Sequence, residues 1–158
     1  MSFIEGVRLG YLAAIIDGEG SIDIRRKNRP WGYGYSPHLS VANKSYELLD
    51  SVKDMVGKGT IQDLNPSGTR LNVSYEFRLL RIESVLELLR ALSPYFMSGI
   101  KKQLCELVIE FCESRRSGFS DCIRVRGGYQ PYSLREIEIW REVKLLHKKG
   151  GKGKGVPV

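Results

Sequence analysis

The spacing of apolar residues in this chain switches from helical to alternating and back, twice over, and few architectures accommodate that order. Leu9, Leu12, Ile15 and Ile16 recur at helical spacing, and Gly18 and Gly20 close a helix predicted over Leu9–Asp17. Residues 21–27 then alternate, with Ile22 and Ile24 facing one way and Asp23, Arg25 and Lys27 the other. The turn-rich stretch 28–37 leads into a strand over His38–Ala42, where Leu39 and Val41 oppose His38 and Ser40. Together these segments read as a β-hairpin with a long, aromatic, basic connection that carries Trp31, Tyr33 and Tyr35.

Tyr46–Val56 has the pattern of a second helix, with Ser45 as N-cap and Gly57 as its stop. A second hairpin follows, Gly59–Leu64 and Arg70–Leu79, around the turn sequence Asn65-Pro66-Ser67-Gly68. Leu71, Val73, Tyr75, Phe77 and Leu79 share one face of its second strand; Asn72, Ser74, Glu76 and Arg78 share the other. Further helices are predicted over Ile82–Leu92, Ile100–Cys112 and Leu134–Lys148, the last opened by the capping box Ser133–Glu136. Helix–hairpin–helix–hairpin–helix with two more helices behind implies an α+β domain, helices covering one face of an antiparallel sheet. The opposite face is polar. Such a face is commonly just solvated, but a twisted antiparallel ribbon also fits the DNA major groove, where alternate side chains reach base edges.

With 158 residues the chain suffices for one compact domain stabilised without disulfides or a structural metal. Residues 1–149 read as that domain, with a core over about 7–112 and a helical extension over 113–149. Residues 150–158 read as a flexible basic tail. The net charge of +7 is segregated: residues 115–158 hold eleven Lys and Arg against four Asp and Glu, whereas residues 1–114 carry fourteen of each. Clustered positive charge suits a polyanion, and equally a tail that keeps the protein in solution. Cys105, Cys112 and Cys122 form no CxxC pair, and His38 and His147 are far apart in sequence, which argues against a zinc site and for reduced, buried thiols. The longest apolar run, Leu9–Ile16, is too short to span a bilayer, and no targeting segment is recognised, so an intracellular setting is expected. The glycines of the tail follow a helix and do not join strand to helix, so they make no phosphate cradle for a nucleotide cofactor.

The chemistry concentrates at residues 12–20. Gly10, Ala13, Ala14 and Asp17 put small or short side chains on one helical stripe, which lets another helix approach closely. Asp17-Gly18-Glu19-Gly20 then sets two carboxylates and two glycines where helix gives way to strand. Oxygen donors with bare backbone beside them suit a hard divalent cation such as Mg²⁺.

The segment Leu12-Ala13-Ala14-Ile15-Ile16-Asp17-Gly18-Glu19-Gly20 resembles the LAGLIDADG motif of the homing endonucleases. Leu12, Ala13, Ile16, Asp17 and Gly20 carry the namesake letters, and the remaining positions hold conservative replacements. The αββαββα order of the elements is also that of the family core, and the resemblance covers roughly residues 7–112. It implies a site-specific endonuclease that hydrolyses phosphodiester bonds with a divalent metal, Mg²⁺ first, Mn²⁺ substituting and Ca²⁺ supporting binding alone. By position, Glu19 would bind the metal and Gly18 would offer its carbonyl to the same ion. Asn43, in the polar step Asn43-Lys44-Ser45, would position the attacking water. Lys101, or its neighbour Lys102, would stabilise charge at the cleaved phosphate. Asp17 would shape the helix end. Such a site needs a nucleophilic water, a Lewis acid and help for the leaving oxygen, and no histidine base.

One copy of the motif is present. Family members with one motif act as homodimers, the motif helices packed at a two-fold axis, which here implies an interface through Gly10, Ala13, Ala14 and Asp17. The partner would be double-stranded DNA with a long pseudo-palindromic site, contacted from a β-saddle by Asp23, Arg25, Lys27, Ser40, Gln62, Asn72, Ser74, Glu76 and Arg78. An RNA-splicing maturase, or a DNA-binding protein that does not cut, is the competing reading of the same resemblance.

Overall fold

The structure, a computed structural model, describes residues 2–30, 32–69, 73–121 and 132–151. Of the expected flexible tail 150–158, Gly150 and Gly151 belong to the last helix, and residues 152–158 lie outside the described residues, as do Trp31, Asn72 and Cys122. Helix α1 runs Phe3–Glu19, six residues earlier than the apolar spacing indicates. Ser2 explains the early start, because its hydroxyl accepts from the Glu5 amide at 3.2 Å and caps the first turn. The helix also passes through Gly18 and stops at Gly20. A side chain there would sit 2.8 Å from the Ile16 backbone, so Gly20 is where the chain can turn closely under its own helix.

Strands β1 (Gly20–Arg29) and β2 (Gly32–Asn43) form an antiparallel hairpin that pairs through to Arg29 and Gly32. The expected long connection is shorter than its sequence suggests: Arg29 already pairs with Gly32, and Tyr33 and Tyr35 belong to β2. Gly32, which opens β2, has φ of 123°, a conformation that favours glycine. Helix α2 (Tyr46–Val56) lies between Ser45 and left-handed Gly57, as its caps indicate. Strands β3 (Thr60–Asp63) and β4 (Tyr75–Leu79) make the second, shorter hairpin; Val73 and Ser74 precede β4 and are not in it. Helices α3 (Ile82–Leu92), α4 (Gly99–Asp121) and α5 (Leu134–Gly151) complete the fold, with a 3₁₀ turn at Ser93–Tyr95. The capping box of α5 is reciprocal: the Glu136 amide donates to the Ser133 hydroxyl at 3.1 Å and the Ser133 amide to the Glu136 carboxylate at 3.0 Å.

The sheet order is β1-β2-β4-β3, all antiparallel, with the helices on one face. That face is apolar by register: Ile22 lies opposite Leu39, Leu39 opposite Leu79, and Val41 opposite Phe77. These side chains pack on Leu12, Ala13 and Ile16 of α1 and on leucines and valines of α2–α4 to form one core. The architecture is α+β, as the order of periods implies. Cys105 and Cys112 are buried and unpaired in α4, and burial pushes their thiols up to about 11 and about 12, so they stay protonated.

Helix α5 is fastened to the rest by charge. Arg135 donates to Glu110 at 2.7 and 2.9 Å and to Glu142 at 2.9 Å, and Arg115 forms a buried pair with Glu136 at 3.3 Å. Lys144 reaches the Asp23 carboxylate of β1 at 2.7 and 3.0 Å.

Candidate active site

The end of α1, the end of β2 and the start of α4 converge on Glu19. Its carboxylate accepts from the Asn43 side-chain amide at 2.5 Å, and the Asn43 carbonyl oxygen accepts from the Ser45 amide at 2.8 Å. The Ser45 bond fixes which end of the Asn43 amide faces Glu19. Lys101, in the first turn of α4, donates from Nζ to the Gly20 carbonyl. Lys102 is exposed on the neighbouring face, so Lys101 is the lysine that enters this cluster. Burial lowers the Lys101 pKa, and the nearby Asp17 carboxylate opposes that shift. Asp17 in turn accepts from the amides of Met97 at 2.9 Å and Ser98 at 3.1 Å, which ties the end of α1 to the start of α4. Glu19, Asn43 and Lys101, separated widely in sequence, thus meet at one exposed corner.

The donors at this corner are oxygen atoms: the Glu19 carboxylate and backbone carbonyls, with open space beside Gly18. They fit a hard cation and not a soft one. Among the described residues no group of three His, Cys, Asp or Glu side chains is poised for a metal, and Glu19 is the carboxylate that Asn43 holds at this corner.

No family sequence model and no curated protein sequence matches this chain. Solved structures do. The homing endonuclease I-CvuI, in complex with its target in the presence of calcium, superposes with a TM-score of 0.69 at 19% identity, over 92% of this chain and 85% of that one. The archaeal intron-encoded homing endonuclease I-Vdi141I, complexed with DNA, gives 0.61 at 21% identity, over 91% and 99%. The LAGLIDADG homing endonuclease I-GzeII, in complex with its DNA target, gives 0.61 at 13% identity, over 95% of this chain but 50% of that one. The fold is that of the LAGLIDADG homing endonucleases.

On this LAGLIDADG fold the sheet face away from the helices carries the residues expected to contact DNA, and it is less open than alternation alone implies. Register sets Asp23 beside His38, Ser40 beside Arg78, Ala42 beside Glu76 and Gln62 beside Glu76. Ser40 and Glu76 are buried, and Arg78 donates to Glu76 at 2.5 Å. Asp23 is engaged by Lys144 and also lies 3.5 Å from His147. Ser74 is half-buried, its carbonyl accepting from the Leu64 amide at 2.9 Å. Arg25, Lys27 and Gln62 are the expected contacts that stand exposed.

His38 sits in the middle of this face and was not among the expected site residues; its burial depends on β4 arriving from far along the sequence. Burial, followed by the charges of Arg25 and Arg78, pulls its pKa from 6.5 to about 4, against Glu76 and Asp23. Unfolded chains take up this proton below about pH 6.5, whereas the folded protein refuses it until about 4. Stability is therefore expected to fall as pH drops from 6.5 towards 4, by up to about 3 kcal/mol from this group. Melting curves of His38→Gln should be flatter across that window than those of the parent; identical profiles would refute the assignment. Asp23 acts lower down. Burial raises its pKa, but His147 and Lys144 more than reverse this, to about 2, so its contribution is present above about 3.8 and is lost on acidification towards 2.

The stripe expected to pair two copies is only partly open on the protomer. Ala13 is fully buried inside the protomer, Gly10 lies against Tyr95, and Asp17 is occupied by the Met97 and Ser98 amides. Of the four residues only Ala14 is exposed on α1. It shares a face with Ile4, Val7 and Tyr11, which are 68%, 55% and 52% exposed. Helical spacing placed the small residues on one stripe; Ala13 went to the core, Gly10 and Asp17 are half-buried, and the apolar face beside the stripe is the open one.

Proposed function

We propose that this protein is a site-specific DNA endonuclease that hydrolyses phosphodiester bonds with a divalent cation and works as a homodimer. The meeting of Glu19, Asn43 and Lys101 at the foot of the motif helix carries this reading. Glu19, with the Gly18 carbonyl, would hold Mg²⁺ or Mn²⁺, which when bound supplies a Lewis acid and a more acidic water. Asn43 restrains the Glu19 carboxylate through one oxygen and leaves the other free. Lys101 keeps a cation beside the backbone of Gly20, the residue after Glu19, where it would stabilise charge gathering on a phosphate oxygen. Two strand cuts call for two such corners, which a pair of protomers about a two-fold axis would supply. The match of this whole chain to half of I-GzeII supports the same stoichiometry.

Arg25, Lys27 and Gln62 are the free side chains of the sheet face and are assigned to base contacts in the major groove. Arg25→Ala is expected to relax base preference at one matched position in each half-site, by about 1–3 kcal/mol for a bidentate contact. A uniform loss of affinity across site variants, with preference intact, would move Arg25 to the phosphates. The function itself is tested by incubating a randomised inverted-repeat DNA library with the protein and Mg²⁺ and sequencing the cut ends. Recovery of a defined palindromic site is expected; a library left intact, with the protein folded, sinks the proposal.

A further inference from the structure

The outer half of the first hairpin has no sheet beside it. β4 pairs only with Leu39–Asn43 of β2, so residues 24–37 project as a two-stranded ribbon. Isolated ribbons of this kind are marginally stable and twist freely. This one carries Arg25 and Lys27, about 17 and 23 Å along the strand from Gly20 at a rise of about 3.3 Å per residue.

Helix α5 and the residue pair before it cross the ribbon, engaging its open β2 edge and, on the β1 side, its base at Ile22 and Asp23. On the β2 side, the Tyr132 hydroxyl accepts from the Tyr35 amide and donates to the Tyr35 carbonyl, each at 2.9 Å, where a further strand would otherwise pair. On the β1 side, the His147 ring meets the Ile22 carbonyl at 3.0 Å, and Lys144 holds Asp23, whose carboxylate accepts from the Ile24 amide at 2.8 Å. Between these points Trp140 packs edge-on against Tyr35 at 5.4 Å. The Arg26 guanidinium lies 4.6 Å from the Trp140 ring centre and 4.2 Å from that of Tyr33. Arg26 is the residue between Arg25 and Lys27 and faces the opposite way, so gripping it fixes both of them.

We propose that α5 is a strap that sets the twist and tilt of the ribbon, and that Tyr132, Trp140 and His147 are positioning residues for base choice far from the cut. This rests on the DNA-reading function above. Tyr132→Phe removes both bonds to Tyr35 and keeps the ring, whose edge-on contact with Tyr35 is at 4.9 Å. In the DNA-free protein, amide exchange of residues 32–36 should quicken by about tenfold, while residues 39–43, held by β4, stay protected. Binding in Ca²⁺ should then be measured on single-base variants of the duplex selected by the parent protein. Discrimination at the distal positions should fall by about tenfold, with that at positions near the cut retained. Unchanged exchange overturns the strap, as does a loss of discrimination spread evenly over all positions. A parent protein that binds every duplex alike, with the exchange change still seen in the variant, overturns the DNA-reading function and leaves the mechanical strap standing.

Discussion

Glu19→Gln is expected to slow DNA cleavage in Mg²⁺ by about a thousandfold or more, since a carboxylate-held metal supplies several kcal/mol of transition-state stabilisation. Binding to the same duplex in Ca²⁺ should persist. The reason is geometric: Glu19 stands at the foot of α1 with Asn43 on one oxygen, away from the sheet face that carries Arg25 and Lys27. The amide of Gln accepts the same bond from Asn43 and fills the same space, so the fold is not at stake. Gel shift and cleavage assays on one preparation separate the two activities. Binding lost together with cleavage, in a protein with an unchanged melting curve, would show that Glu19 serves assembly or DNA contact instead of the metal.

Ala14→Trp is expected to convert dimers into monomers, while Ala13→Leu should instead weaken each protomer. Ala14 is exposed on the protomer, so a large side chain there costs nothing until a second copy arrives. In a two-fold interface each copy then meets the obstruction, and overpacking of about 1–3 kcal/mol per site raises the dissociation constant about a hundredfold or more. Ala13 has no exposed surface, and the added volume must be taken up among Leu12, Ile16 and the sheet, at a cost of about 1–3 kcal/mol in folding. Sedimentation and thermal melts on both variants give opposite patterns under this assignment. An Ala14→Trp protein that sediments as a dimer, or a parent that is monomeric at every concentration, places any self-association elsewhere than on α1.

The sequence made the order of elements legible because each segment states its own period. Ser45, Gly57 and the Ser133–Glu136 box act within a few residues, and all fall where local chemistry puts them. The first turn was misread for a related reason: Tyr33 and Tyr35 follow glycines, and glycine-rich sequence looks like loop until the register with Arg26 and Asn28 is known. Ala13 and Asp17 belong to a stripe whose partner is invisible in one dimension, so a surface for a second copy and a surface for the protomer's own core look alike. Glu19, Asn43 and Lys101 were found through the motif and the element order and not through any local signal joining them. Tyr132, Lys144 and His147 act over separations of about a hundred residues, and no periodicity announces such contacts.

The acidic partners of α5 also change what the net charge of +7 means for DNA. Arg115, Arg135 and Lys144 all lie in the basic C-terminal third, yet each is already paired with a carboxylate of the same chain. A cation already paired with a carboxylate neutralises a phosphate poorly and releases few of the counterions condensed on DNA, so it adds little to the slope of affinity against salt. That slope is left to cations without such pairing. Composition counts charges; the helix decides which of them a polyanion can still feel.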